Sequence, residues 1–480
     1  LGVTEGLTAL DANGAAAPAL AASWQRENDR TWLFTLREAT FQDGSAVTPA
    51  AVATALTHAA SAKPVPAALS GVALTAKAEG GTGLRITTED PDPILPLRLS
   101  SPALAVFSGK AYGTQDKVDP VGKAEGGTGL RITTEDPDPI LPLRLSSPAL
   151  AVFSGKAYGT QDKVDPVGTA TGPFELTKVM GTAAATLDRY DDYWGGRAQA
   201  TGIDVRFVAD GTARASALRT DQVDLAEAVP VAQAATLDKG TREATATTRT
   251  TSLLLNTEKG AFKDAGLRAA ARQAVDTSAF AKGVYEGYAD AGAGVYGPAV
   301  TWAAGKRTEP VGRAEPEKPE GTRITLATYD NRPELPEVAQ VLKQQLEKAG
   351  FDVTLEVREY SRLESDALDG RFDAFVLARN TLVDTGDPVS VLASDYTCDG
   401  GYNIAQLCDK DVDRAVAKAE DTAGTAERQD AAMAAEARIL GTDAVVPLVH
   451  QRIITGVATS VRGALLDPYE RTLVGIGTRR

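Results

Sequence analysis

The chain has 480 residues, 43% hydrophobic and 24% charged, with a formal net charge of −14 at pH 7. That length exceeds what a single hydrophobic core supports, so two or more lobes are expected. The acidic excess argues against nucleic acid or an anionic membrane surface as partner, and no run approaches the roughly 18 apolar residues that span a bilayer.

Residues 1–60 read as strand, loop, strand and helix. Trp32 to Arg37 alternates apolar and polar as a half-buried strand does. Thr48 before Pro49 places a capping hydroxyl ahead of a proline, so a helix is expected from Pro49 to about Ala60. Lys77–Gly122 then recurs without a single change as Lys123–Gly168, a 46-residue tandem copy. Each copy holds a strand (Leu84 to Thr88 in the first), a Pro-rich bend at Pro91, Pro93 and Pro96, and an apolar stretch from Leu104 to Phe107. Structural arrays need three or more units, so the second copy reads as a recent or artificial duplication. One sheet position cannot hold both, and the surplus copy is expected to leave as a surface excursion.

Next comes Thr171-Gly172-Pro173-Phe174, a tight bend in which Gly tolerates positive φ and Pro fixes its own. A strand follows, then the returning strand Thr186 to Tyr190 and the aromatic turn Asp191 to Gly196. Spacing alone leaves this a β-hairpin with a packed corner. Ile203–Val208, a helix around Ala213–Thr220, and Val223–Ala226 read as a β-α-β unit. Gly266 to Tyr285 reads as one helix. Between Arg323 and Ala378 the periodicity is clearest. Ile324–Ala327 is a strand, and Glu337–Ala349 a helix with Val338, Val341, Leu342 and Leu346 on one side, stopped by Gly350. Phe351, Val353, Leu355 and Val357 alternate with polar residues, Ser361–Asp369 is a second helix, and Phe372–Ala378 a buried strand. That βαβαβ order implies a parallel sheet with right-handed crossovers.

His58 and His450 are the only histidines, and neither has neighbours resembling a triad or a metal set. There is no P-loop and no dinucleotide fingerprint. Enzymatic function is therefore disfavoured, and neither cofactor nor metal is expected.

The Thr171–Phe174 bend, the strand and the polar run ending in Tyr193-Trp194-Gly195-Gly196 resemble the signature of the peptide/nickel family (family 5) of extracellular solute-binding proteins, the receptors of ABC importers. Gly6–Asp11, Pro18–Trp24, Trp32–Arg37 and Phe41–Gly44 fall in the family's order, and similar blocks continue to Cys408. The resemblance implies an α/β, two-lobe periplasmic-binding-protein fold with mixed and parallel sheets, a hinge between lobes and an extra N-terminal subdomain. It divides the chain into 1–168 (N-terminal part of lobe I with the extra subdomain), 169–252 (lobe I core), 253–455 (lobe II) and 456–480 (return to lobe I). Crossovers are expected at Ser252–Asn256 and Ala444–Ile454. One copy of the repeat fits the family's spacing and two do not. A signal peptide and an initial strand are expected ahead of Leu1, and the location outside the cytoplasm, periplasmic or as a cell-surface lipoprotein. Cys398 and Cys408 are either two free thiols or, as suits an exported protein, a disulfide whose short loop would stabilise by about 3 kcal/mol.

A ligand site is expected between the lobes, where carboxyl ends of parallel strands meet crossover loops. Asp384, in Asp384-Thr385-Gly386-Asp387-Pro388, resembles the family's aspartate that pairs with the α-amine of a bound peptide; the alternative is an Asx turn. Asp387 is the second candidate. Arg332, in Asn331 to Pro336, resembles an arginine that holds the ligand's terminal carboxylate, against the alternative of a surface salt bridge. Similar Arg-Pro runs occur in nickel-chelate and metallophore binders. Tyr402 and Asn403 line the cleft or cap the cysteine loop, and Asn256 bonds a peptide backbone or closes a strand end. The function implied is a monomeric receptor that captures a short peptide and delivers it to an ABC permease. The alternative is a receptor for nickel or another metal held by a small chelator, and a distant one is a hydrolase on this scaffold.

Overall fold

The computed structural model describes residues 2–11, 14–28, 31–61, 69, 74–79, 83–89, 129–135, 166–382 and 385–480. β1 (Thr8–Leu10) and β2 (Ala16–Pro18) form a small ribbon, and β3 (Ala21–Asn28) pairs antiparallel with β4 (Thr31–Leu36). The helix Pro49–Ser61 starts where expected, with the Thr48 hydroxyl accepting the Ala51 N–H at 3.2 Å. Its Val52, Ala55, Leu56 and Ala59 recur at helical spacing and pack with Leu7, Leu20, Phe34 and Leu84 into one core.

The repeat behaves unexpectedly. β5 (Leu74–Glu79) pairs with β6 (Gly83–Glu89) of the first copy and with β7 (Gly129–Glu135) of the second, in the same register: Ala76 lies opposite both Ile86 and Ile132. β6 and β7 also run parallel, residue against identical residue, while β7 lies against β4. This gives β7 three neighbours, although a strand has two hydrogen-bonding edges. Identical segments specify one address in the sheet, and either copy satisfies it. Both copies claim the same place, and one sheet position cannot hold two strands, which is the competition expected of identical segments. The Pro-rich bend and Leu104–Phe107 lie outside the described residues.

The signature corner is an antiparallel sheet of β8 (Phe174–Met180), β9 (Ala184–Arg189) and β10 (Gly202–Arg206), as a hairpin reading predicts. Its bend differs in cause. Gly172 has an ordinary φ; its N–H donates to the Val3 carbonyl at 2.8 Å, and a Cβ there would lie 2.2 Å from the Gly2 oxygen. Close approach of two backbones, not a left-handed turn, demands glycine. Gln42, from the Phe41–Gly44 block, clamps the same bend by donating to the carbonyls of Gly172 and Phe174, both at 3.0 Å. The expected β-α-β unit is corrected too. The helix Gly211–Arg219 leads from β10 to β11 (Leu225–Ala226), which pairs with the last strand of a different sheet.

That larger sheet is built from β12 (Arg242–Leu255), β13 (Ala289–Ala291), β14 (Arg323–Tyr329), β15 (Asp352–Arg358), β16 (Ala374–Asn380) and β17 (Val445–Val457). Its order is β11-β17-β12-β16-β14-β15, with β13 on β17. β14 runs parallel to both β15 and β16, as the βαβαβ pattern requires. The helix Glu334–Lys348 buries Leu335, Val338, Ala339, Leu342 and Leu346 against it, and ends before Gly350 at φ 107°. The helix expected over Gly266–Tyr285 breaks. It runs Ala265–Ala274, then Asp276 accepts the N–H groups of Ser278 and Ala279 and starts a fresh turn. β12 and β17 are long antiparallel partners that run from the small core around Leu218 and Ile454 into the main core around Leu253 and Val446. Their register shifts between Ala246 and Thr250. Among the described residues no helix is long and apolar enough to cross a membrane.

Candidate functional site

Parallel strands present their carboxyl ends at one edge of a sheet, and loops leaving that edge face a common space. β14 ends at Tyr329 and leads to Arg332 and Glu334; β15 leads to Tyr360; β16 ends at Arg379 and Asn380. Opposite stand Asp210, Arg214 and Val229–Val231, and between them lie Arg249, Gln451 and Arg452 from the long strands β12 and β17. These residues enclose a cleft of about 890 Å3.

Five arginines line it, and their partners differ. Arg249 grips Glu470 through two bonds of 3.1 and 2.8 Å. Arg379 grips Asp395 at 3.0 and 3.2 Å and lies 4.5 Å from the Tyr402 ring centre. Arg452 holds both oxygens of Asp290. Arg214 donates to the carbonyls of Val208, Ala209, Glu227 and Ala228. Among the described residues Arg332 has only Glu334, at 3.6 Å, beyond hydrogen-bond length. Its guanidinium keeps donor capacity for a carboxylate from outside.

Glu334 is itself tethered, since its Oε1 accepts Gln451 Nε2 at 2.7 Å. Gln451 is 5% exposed, and its Oε1 has no hydrogen-bond partner among the described residues. Tyr285 lies behind this group, and burial pushes its phenol well above the usual range. Tyr360 and Tyr402 join through their hydroxyls, and Tyr360 donates to Glu364 at 2.8 Å.

Of the residues singled out in the sequence, Arg332 and Tyr402 line the cleft. Asp384 lies outside the described residues. Asp387 is fully buried away from the cleft; it caps the helix Pro388–Tyr396 and takes Arg428 through bonds of 2.7 and 2.9 Å. Asn256 closes its strand end. It donates to the Gly370 and Phe372 carbonyls and accepts from the N–H groups of Glu258 and Lys259. Asn403 caps the loop through Thr397 and Leu407. Cys398 and Cys408 form a disulfide. Sequence reading missed Arg249, Arg379, Arg452, Glu334 and Gln451. The one available signal was polar His450-Gln451-Arg452 amid the apolar strand Val445–Val457.

His450 plays a different part. Its Nε2 accepts the Ala293 N–H at 3.1 Å, which leaves the proton on Nδ1 to meet the Thr250 hydroxyl at 3.0 Å. Burial pushes its pKa down to about 4, so the ring is neutral and ties β17 to β12. Among the described residues no group of His, Cys, Asp and Glu could hold a metal ion.

The family model of the bacterial extracellular solute-binding proteins, family 5 Middle, matches residues 15–403. The chain belongs to this family. Among curated relatives, the probable di/tripeptide-binding protein 5 of Pseudomonas aeruginosa (strain UCBPP-PA14) is 25% identical over 325 residues, 63% of this chain and 60% of that protein. The chain thus spans about 60% of that relative's length. NikA from Staphylococcus aureus in complex with Ni(L-His)2 shares the fold with a TM-score of 0.75 at 20% identity, covering 100% of this chain and 94% of that one. The dipeptide binding protein from Pseudoalteromonas sp. SM9913 in complex with Met-Leu gives 0.76 at 17% identity, covering 99% and 94%. The family 5 chain therefore has the two-lobe fold of the periplasmic binding proteins, α/β with mixed sheets.

Proposed function

We propose that this family 5 protein is the substrate-binding receptor of an ABC importer, and not an enzyme. It closes two lobes on a short peptide with a free carboxyl terminus and hands it to a membrane permease. The observation that carries this reading is Arg332, which stands in the cleft at the carboxyl end of β14 with one ion-pair contact at 3.6 Å. A peptide carboxylate supplies the bidentate partner that such a guanidinium lacks. Asp384, which follows the neighbouring parallel strand β16, is the proposed partner of the α-amine. The lobe boundaries at 168, 252 and 455, a monomeric state and a location outside the cytoplasm belong to the same reading. The hinge of this reading runs through Ser252–Asn256 and Ala444–Thr455.

A second reading has support from the NikA likeness over the whole chain: the ligand is nickel or another metal in a small chelator. Its carboxylates would address the same arginine. Native mass spectrometry of the purified protein, then calorimetry with di-, tri- and tetrapeptides and with nickel–histidine, separates the two. Saturable binding of peptides and none of the chelate supports the first; the reverse overturns it.

A further inference from the structure

Buried polar atoms are nearly always hydrogen-bonded, so an orphan acceptor facing a cleft asks for a donor from outside. Gln451 Oε1 is an orphan acceptor on a residue that lines the cleft. The residue is buried, it borders the cleft, and its side-chain oxygen has no partner among the described residues. Nor can the amide turn round to relieve this. Its nitrogen donates at 2.7 Å to Glu334, and reversal would press an oxygen against a carboxylate. Glu334 therefore holds Gln451 in one orientation, with the carbonyl left over.

The same Glu334 oxygen lies 3.6 Å from Arg332. Gln451 and Arg332 thus converge on one atom. Both residues line the cleft, so one ligand can address the guanidinium and the amide together. We propose that Gln451 is a ligand-contacting residue. Its carbonyl accepts the backbone N–H of the ligand's last residue while Arg332 holds that residue's carboxylate. This rests on the receptor reading above and deepens it. The ligand class becomes an N-acylated α-amino acid bearing an N–H, meaning a peptide carboxyl terminus other than proline. Glu334 is a positioning residue, acting through Gln451.

The ligand itself provides the test. Replacing the last alanine of di- or trialanine by lactate exchanges the N–H for an ester oxygen of nearly the same shape. Calorimetry on the full chain should show wild-type protein binding each peptide at least tenfold more tightly than its lactate ester. Gln451→Met is close in volume and lacks the acceptor, so it should bind both at the weaker level. Arg332→Ala should weaken both and keep their ratio. Thermal melts guard against misfolding, and Gln451→Leu serves as second variant. A ratio that persists in Gln451→Met and Gln451→Leu, or a wild type that does not discriminate, overturns this inference alone. If neither peptide binds the wild type, the peptide-receptor reading falls and takes this inference with it.

Discussion

The signature corner and the cleft both gather buried polar groups and aromatic rings, yet their hydrogen bonds close differently. In the corner, Glu5 accepts the Tyr193 hydroxyl at 2.7 Å and the Trp194 indole at 2.8 Å, and Arg37 stacks 3.7 Å from the centre of the Trp194 ring. Both of these donors are spent on one carboxylate, and the set bolts the start of the chain to the loop after β9. Arg37 Nε and Thr171 Oγ1 are nonetheless buried there without a hydrogen-bond partner among the described residues. In the cleft, Arg249 and Arg379 grip carboxylates, Arg214 donates to carbonyls and Arg452 holds Asp290 through Nη2. Among the described residues Arg332 has one ion-pair contact beyond hydrogen-bond length and Gln451 Oε1 has no partner. Buried atoms without a partner occur in both, so a polar cluster packed shut holds a fold together, and a ligand fits where spare groups line an open space. The stretch that identifies the family is of the first kind.

The comparison can be pressed hardest at Asp387, a ligand candidate in sequence that the structure places with the closed clusters. Asp387→Ala leaves the guanidinium of Arg428, 4% exposed, without its carboxylate. A loss of about 3–5 kcal/mol in denaturant unfolding is expected, with peptide affinity retained by the folded fraction.

Acid and base should separate the corner from the crossover strands. Loss of hydration raises Glu5 from 4.5 to about 7. Its contribution to stability is present below its unfolded value and lost as pH rises through 7. His450 is depressed from 6.5 to about 4, so its contribution is present above 6.5 and lost as pH falls towards 4. Each amounts to about 3 kcal/mol at full extent. The two slopes oppose one another between pH 4.5 and 6.5, which flattens the wild-type curve. Urea unfolding of Glu5→Gln should then rise with pH over that window, and a flat curve would show that His450 is not held neutral.

Trp194→Phe removes one donor from Glu5 and leaves the ring. A loss of about 1–3 kcal/mol is expected by thermal melting, with unchanged calorimetric affinity. The smallest effect is expected for deletion of Lys123–Gly168. One copy then fills the place beside β5 for which two compete, and closing a loop of that size costs only about 3 kcal/mol to begin with. The shortened protein should melt no lower and bind as before; a large loss would show that both strands are needed.

Much of the fold was legible. Alternation over Phe351–Val357 and helical spacing at Val338, Leu342 and Leu346 come from one-sided burial, and β15 and its preceding helix follow them. The breaks were less legible. Asp276 stops a helix whose apolar face continues, because a local side-chain bond outcompetes the periodic pattern. The site was half legible. Arg332 stands in a recognisable run, whereas Gln451 matters because of a missing bond, and a missing bond has no sequence signal. Arg249, Arg379 and Arg452 look alike in sequence, and only the placement of Glu470, Asp395 and Asp290 shows that each is already held.

The claim that the cleft and not the signature corner carries the ligand is tested by one calorimetric comparison. Wild type, Arg332→Ala and Trp194→Phe are titrated with the same free-ended tripeptide. Arg332→Ala should bind at least tenfold more weakly with its melting temperature nearly unchanged, while Trp194→Phe melts lower and binds as wild type. Wild-type affinity in Arg332→Ala would contradict the account.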